Sequence, residues 1–199
     1  MKRKKGFILI SVFNKKGIDK LARTLKSLGY KIISTEGTGK ELTKNKIPFI
    51  PASKISKNPE GFDDCIKTIS FQIEAGILFD RSNSTHIKET TKLDIKPIDI
   101  VICNFPPLKE VIKNPKTDFN IRNIDIGGPL MVRAAAVNFK YVLVIVDPDD
   151  YEKAAKVILE GRITDKFRQK LAIKAFNYTY SYDYQIAKYL KKNSINFIK

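Results

Sequence analysis

Histidine is almost missing from this chain: His86 is the only one in 199 residues. That excludes a histidine triad and any multi-histidine metal centre. Tryptophan is absent, and the two cysteines, Cys65 and Cys103, lie far apart with no C-x-x-C spacing. Zinc-ribbon and thioredoxin-like chemistry therefore find no support, and reduced thiols in a cytoplasm are expected. No window approaches the roughly 18 uninterrupted apolar residues of a membrane span. The basic start MKRKK precedes an apolar run from Phe7 to Phe13, broken by Ser11 and lacking a small-residue cleavage site. It reads as a first strand, not a leader. Acidic residues are also scarce, 21 against 37 Lys and Arg, for a net charge of +16. The lysines are spread along the whole chain and no RRM-type aromatic motif accompanies them. An anionic small molecule is a better expected partner than nucleic acid.

What remains is an ordinary globular composition, 43% hydrophobic, enough for one sizeable core. Strand-like and helix-like segments alternate. Residues 6–13, 30–34, 47–52, 97–105 and 141–147 read as strands, and 73–79 (IEAGILF) as a further buried strand-like segment. Ile18, Leu21, Leu25 and Leu28 mark one face of a helix that Gly29 stops. Residues 35–39 read as a loop, with a short helix after it, and 53–72 as irregular. Residues 148–161 form a helix with Pro148 near its start and Gly161 past its end. Residues 164–192 form one long helix or a broken pair, with Phe167, Leu171, Phe176, Tyr182 and Ile186 along a face. The pattern predicts an α/β fold: a doubly wound, mainly parallel sheet flanked by helices, with a C-terminal helical extension. The expected division is 1–162 for the α/β domain and 163–199 for the extension, packed on its own domain or on a partner subunit.

In such a sheet, ligands sit at the carboxyl ends of the strands. Four loops there can carry chemistry. The first, SVFNKKG, holds Asn14 and Lys15. The second, STEGTGKEL, offers Thr35, Glu36, Gly37 and Thr38 as an anion cradle at a helix start; it lacks the spacing of a Walker A loop. The third contains Cys65, Ile66, Lys67 and Thr68. The fourth joins Cys103 and Asn104 to NIDIGGP, where Pro129 suits the first helical position with Gly127 and Gly128 just outside. Asp125 is then either a first-turn cap or a carboxylate able to act as a base.

In order and spacing these loops resemble the inosine-monophosphate cyclohydrolase domain, the N-terminal half of a bifunctional purine-synthesis enzyme that also carries a transformylase. They also resemble the wider methylglyoxal-synthase-like fold. The carrying strings are LISVFNKKGI, IISTEGTGKEL, IDIVICN, NIDIGGPLMVRAAAVNF and VDPDDYEKA, and the likeness runs from about residue 7 to YDYQIAKYL. It implies ring closure of 5-formamidoimidazole-4-carboxamide ribotide to inosine 5′-monophosphate with loss of water, without metal or cofactor. It also implies a cytoplasmic homodimer, with a transformylase on the same or another chain. Lys67, Asp125 and Asn104 are the implied catalytic residues. Asn14, Lys15, Thr35, Glu36, Gly37, Thr38, Cys65, Ile66, Thr68, Cys103, Ile126 and Gly127 are the implied substrate contacts. An alternative is a non-catalytic purine-nucleotide-binding module of the same fold. Methylglyoxal synthase itself is disfavoured, because that chemistry relies on histidine and His86 lies in none of the four loops.

Several positions depart from the family pattern. Cys65 stands for an arginine, Pro106 for a tyrosine, Val137 for a lysine with a proton-transfer role, and Glu36 for a glycine. Valine transfers no proton, and a carboxylate at position 36 costs phosphate binding unless it turns outward.

Overall fold

The structure, a computed structural model, describes residues 5–58, 66, 68–111 and 124–192. Five strands form one parallel sheet: β1 (Phe7–Val12), β2 (Lys31–Ser34), β3 (Ile50–Pro51), β4 (Ile98–Asn104) and β5 (Leu143–Ile145). Their order is β3-β2-β1-β4-β5. The chain thus winds outward from β1 in one direction, then returns to its other side, and the direction reverses between β1 and β4. All pairings are parallel, with Ile10 beside Ser34 and Val12 beside Asn104. The strands that end together are the ones whose loops carried the candidate residues.

Alternation along the strands splits the core into two. Ile8, Ile10, Ile100, Ile102, Leu143 and Ile145 point to one face, where α1 (Ile18–Ser27) and α8 (Tyr151–Leu159) cover them. Leu9, Val101, Cys103 and Val144 point to the other. There α4 (Phe71–Leu78), α7 (Gly127–Val137) and α9 (Asp165–Lys192) pack side by side. Both faces of the sheet are therefore dry, which is why its strands read as continuous apolar runs. The same burial explains the nearly apolar α7: Met131, Val132, Ala134, Ala135 and Ala136 are enclosed by the sheet, α4 and α9.

Three segments differ from the sequence expectation, and a fourth carried none. Residues 71–78 are helix, not strand. Ser70 caps the segment by accepting from the Ile73 N–H at 3.2 Å, and Ile73, Gly76 and Ile77 are buried at helical spacing. Packed beside α7 and against β4, this helix carries apolar residues on its outer side as well, so its short apolar run imitates a strand. Gly76 sits at the close approach to the chain before β4, because a Cβ there would lie 2.5 Å from the Lys96 carbonyl oxygen. Residues 35–39 are not a loop: α2 (Glu36–Lys44) begins at Glu36 and carries both glycines inside it. A short α3 (Ala52–Ser56) occupies the start of the stretch read as irregular. Finally, α5 (Ser84–Lys92) has no buried residue and no apolar period to betray it; Asn83 caps it by accepting from the Thr85 and His86 N–H groups at 2.9 and 3.3 Å. A further short turn of helix, α6 (Leu108–Val111), follows β4.

The C-terminal segment is a single helix of 28 residues, not a broken pair. Its Leu171 enters one core, and Ala172, Ala175 and Tyr182 enter the other. Phe167 and Ile186 pack at the margins, whereas Phe176, expected on the same face, is 41% exposed. The helix packs on α7 and β5 of its own chain.

Candidate functional site

The reversal between β1 and β4 opens a crevice at their carboxyl ends, the place where doubly wound sheets take ligands. Two groups of loops meet it.

The first group is built on β1 and β2. The Thr35 hydroxyl donates to Ser11 Oγ at 3.2 Å, so it does not cap α2, and no other side chain does. The first-turn N–H groups of this nine-residue helix are left facing outward, with the positive end of the helix dipole behind them. Thr38 holds the arrangement to the sheet. Its buried hydroxyl accepts from the Val12 N–H at 2.9 Å and donates to the Val12 carbonyl at 3.3 Å. Glu36 and Gly37 are exposed. On the β1 side, Asn14 Oδ1 accepts from the Lys16 N–H at 3.1 Å, and Lys15 Nζ reaches the Phe13 carbonyl at 3.3 Å.

Asn104, at the end of β4, ties that strand to the first group. It is buried, and it holds the backbone of Asn14 from both ends: Oδ1 accepts from the Asn14 N–H at 2.7 Å and Nδ2 donates to the Asn14 carbonyl at 3.3 Å. This commits the amide to positioning the first loop.

The second group is the mouth of α7. The helix begins at Gly127, so the two glycines lie inside its first turn and Pro129 is its third residue. Asp125 Oδ1 accepts from the Gly128 N–H at 2.9 Å, the capping geometry. Close approach explains the glycines. A Cβ on Gly127 would lie 2.5 Å from Thr68 Oγ1, and one on Gly128 would lie 2.7 Å from Asp125 Oδ2 and 3.0 Å from the Phe105 ring. Thr68, Asp125, Gly127 and Gly128 thus form one tight lip. Cys103 lies beneath it, with Sγ 3.8 Å from the Gly128 carbonyl oxygen. Burial first, and the nearby Asp125 carboxylate second, push the Cys103 thiol far above its usual range. It stays protonated and acts as packing, not as a nucleophile.

Lys67 and Cys65 lie outside the described residues. Ile66 and Ile126 are within them, 37% and 60% exposed. Val137 does not join the lip: it is 66% exposed at the far end of α7. Ten residues of helical rise put it about 15 Å along the axis from Gly127. Pro106 follows β4 directly and is half-buried. Among the described residues, no three His, Cys, Asp or Glu side chains converge where a metal ion could sit.

Sequence reasoning missed the aromatic wall of the crevice. Tyr178 and Tyr182 of α9 reach the backbones of Phe105 and Asp125. They also line a cavity of about 900 Å³ that runs from Asn14, Lys15 and Asn104 toward Asp147 and Lys174. The i, i+4 spacing of two tyrosines on a buried stripe was visible, but nothing local says where their hydroxyls end. The Asp147 and Asp150 carboxylates both pair with Lys174 Nζ, at 2.7 and 2.6 Å. That pairing, with the Asp149 N–H, holds the Asp147 carboxyl below its ordinary range.

The geometry is that of a doubly wound domain with an uncapped helix end and a capped, glycine-lined lip. The model of the MGS-like domain matches residues 17–130, which carry most of that geometry. The chain belongs to the MGS-like domain family. Residues 135–198 of this MGS-like chain match a second model, the AICARFT/IMPCHase bienzyme. Among its relatives are the bifunctional purine biosynthesis proteins PurH of Caldicellulosiruptor saccharolyticus, 47% identical over 92% of this chain, and of a Thermoanaerobacter species, 45% identical over 95%. That of Bacillus mycoides is 42% identical over 92%. The chain spans 36 to 38% of the length of these relatives. The crystal structure of ForH superposes with a TM-score of 0.82 at 29% identity, covering 92% of this chain and 97% of that one.

Proposed function

We propose that this domain closes a purine ring, converting 5-formamidoimidazole-4-carboxamide ribotide to inosine 5′-monophosphate. The observation that carries the reading is the run of bifunctional PurH relatives along more than nine-tenths of the chain, joined to the match with the AICARFT/IMPCHase bienzyme model. The site agrees in kind. A ribotide phosphate suits the uncapped end of α2. The heterocycle then lies toward the lip of α7, against Thr68, Ile126 and Gly127 with Cys103 packed beneath them, and Ile66 lies at the entrance. In the reaction the carboxamide nitrogen bonds to the formyl carbon, the carbonyl oxygen takes up protons, and water leaves. Holding the two groups in contact supplies much of the rate. Lys67 polarises the formyl oxygen, and Asp125 orients the carboxamide nitrogen and accepts its proton. Asn104 acts by holding the Asn14–Lys15 loop beside the phosphate. Glu36, turned to solvent, stays out of the phosphate's way.

The enzyme is read as a cytoplasmic homodimer that works with a transformylase supplying its formylated substrate. The support for self-association is a second apolar stripe on α9: Ile173, Phe176, Tyr180 and Tyr184 lie at helical spacing and are 41 to 68% exposed. Ile126, just before the adjacent α7, and Val137, at its end, are also exposed. No helix among the described residues is long and apolar enough to cross a membrane. The deciding experiment supplies the formylated ribotide and follows the absorbance of inosine monophosphate. Turnover above the uncatalysed cyclisation is expected; its absence refutes the reading.

A further inference from the structure

We infer that Tyr178 and Tyr182 are positioning residues for the candidate site, so that α9 is a working part of it and not an appendage. Every contact bears on the two loops that frame the lip. The Tyr178 hydroxyl accepts from the Phe105 N–H at 3.2 Å and donates to the Phe105 carbonyl at 3.1 Å, a two-point hold on one residue. The Tyr182 hydroxyl accepts from the Asp125 N–H at 3.0 Å. Between the two rings lies that of Phe105, its centroid 4.5 Å from Tyr178 and 4.6 Å from Tyr182, the second contact edge-to-face. Phe105 in turn presses on Gly128, whose N–H the Asp125 carboxylate caps. A continuous path of contacts thus runs from α9 through Phe105 and Asp125 to the first turn of α7.

The physical reason for such a brace lies in the loops themselves. Residues 105–107 and 124–126 lie outside the strands and helices, and a loop held only at its ends drifts by more than a ring closure tolerates. Hydroxyls from a helix packed on the sheet give Phe105 and Asp125 the partners that secondary structure does not. Burial first pushes the Tyr178 phenol up to about 12, against the hydrogen bond from the Phe105 backbone. It therefore remains a donor across the physiological range.

The inference rests on the proposed function for its kinetic arm only. The variants are Tyr178→Phe and Tyr182→Phe, singly and together, which keep the rings and remove the hydroxyls. Ser27→Ala, which removes an exposed hydroxyl on α1, is the control. Amide hydrogen exchange is read without any ligand. The Phe105 and Asp125 amides are expected to exchange at least tenfold faster in the matching variant, while β1 and β4 amides stay as slow as in the parent. Kinetics on the formylated ribotide should show kcat lowered about tenfold or more with KM within twofold, because the phosphate is held at α2, away from both tyrosines. Unchanged exchange at both amides overturns the brace. An unchanged kcat overturns its role in the site. A uniform rise in exchange, with kcat and KM lost together, shows a merely structural role and also overturns it. If the parent chain itself shows no turnover, the cyclohydrolase reading fails, and the exchange arm decides the brace alone.

Discussion

Glu74 offers a test of the core that is independent of any substrate. It lies on α4, and both its carboxylate oxygens are buried with no hydrogen bond to a described residue. Burial holds its pKa up at about 7, against 4.5 for a carboxyl in water. Between those values the folded chain keeps a proton that the unfolded chain has released. Stability therefore falls as pH rises from about 4.5 to 7, and then stays level. At roughly 1.4 kcal/mol per pH unit the full cost would be about 3.4 kcal/mol. Part of the side chain is reached by water, which cuts the expected cost to about 1–2 kcal/mol. Glu74→Gln keeps the shape and removes the titration. In urea denaturation series from pH 4 to pH 8.5, the variant should match the parent at pH 4 and exceed it by about 1–2 kcal/mol at pH 8. Two curves that stay parallel across the whole range would refute the assignment of Glu74 as a buried, unpaired acid.

Gly127→Ala places a methyl group 2.5 Å from Thr68 Oγ1. We expect a loss of about 1–3 kcal/mol of stability and at least tenfold weaker inosine monophosphate binding; calorimetry showing parent-like values would mean the lip is not tight. Thr38→Val leaves the Val12 N–H without its buried partner, and should cost about 1–3 kcal/mol in thermal unfolding. A shift near zero would contradict the clamp between β1 and α2. Val137→Lys should leave kcat within twofold of the parent, since position 137 lies at the opposite end of α7 from Asp125; a clear gain in turnover would show that the residue acts there after all. Tyr180→Asp should turn a dimer into a monomer in light scattering at micromolar concentration, and a dimer that persists would remove α9's outer stripe from the interface.

Much of the fold was legible because burial writes itself into periodicity. The runs GFILISVF and PIDIVICNF could only be strands covered on both sides, and α1 and α8 announce themselves by their apolar faces and their closing glycines. What failed to show were the elements whose composition hides their period. The helix at 71–78 buries Ile73, Gly76 and Ile77 but carries apolar Phe71 and Leu78 on its exposed side, so its short apolar run resembles a strand, and α5 has no buried residue, so its composition resembles a loop. Glycines misled in a similar way. Gly37 and Gly39 suggest a loop by propensity, yet the helix starts before them because Thr38 ties it to β1.

The candidate site divides along the same line. Sequence order by itself determined which loops follow which strands, and a parallel sheet must then bring those loops to one edge. Asn14, Thr35, Thr38, Asn104 and Asp125 were therefore readable as neighbours. Their duties were not. Whether Asn104 faces a ligand or clasps the Asn14 backbone, and whether Asp125 caps a helix or stands clear of it, depends on a few ångströms between distant segments. Only the packed structure decides that. It also carries Tyr178 and Tyr182 across more than fifty residues of chain to meet Phe105 and Asp125, because hydrogen bonds depend on distance in space and local sequence records only distance along the chain.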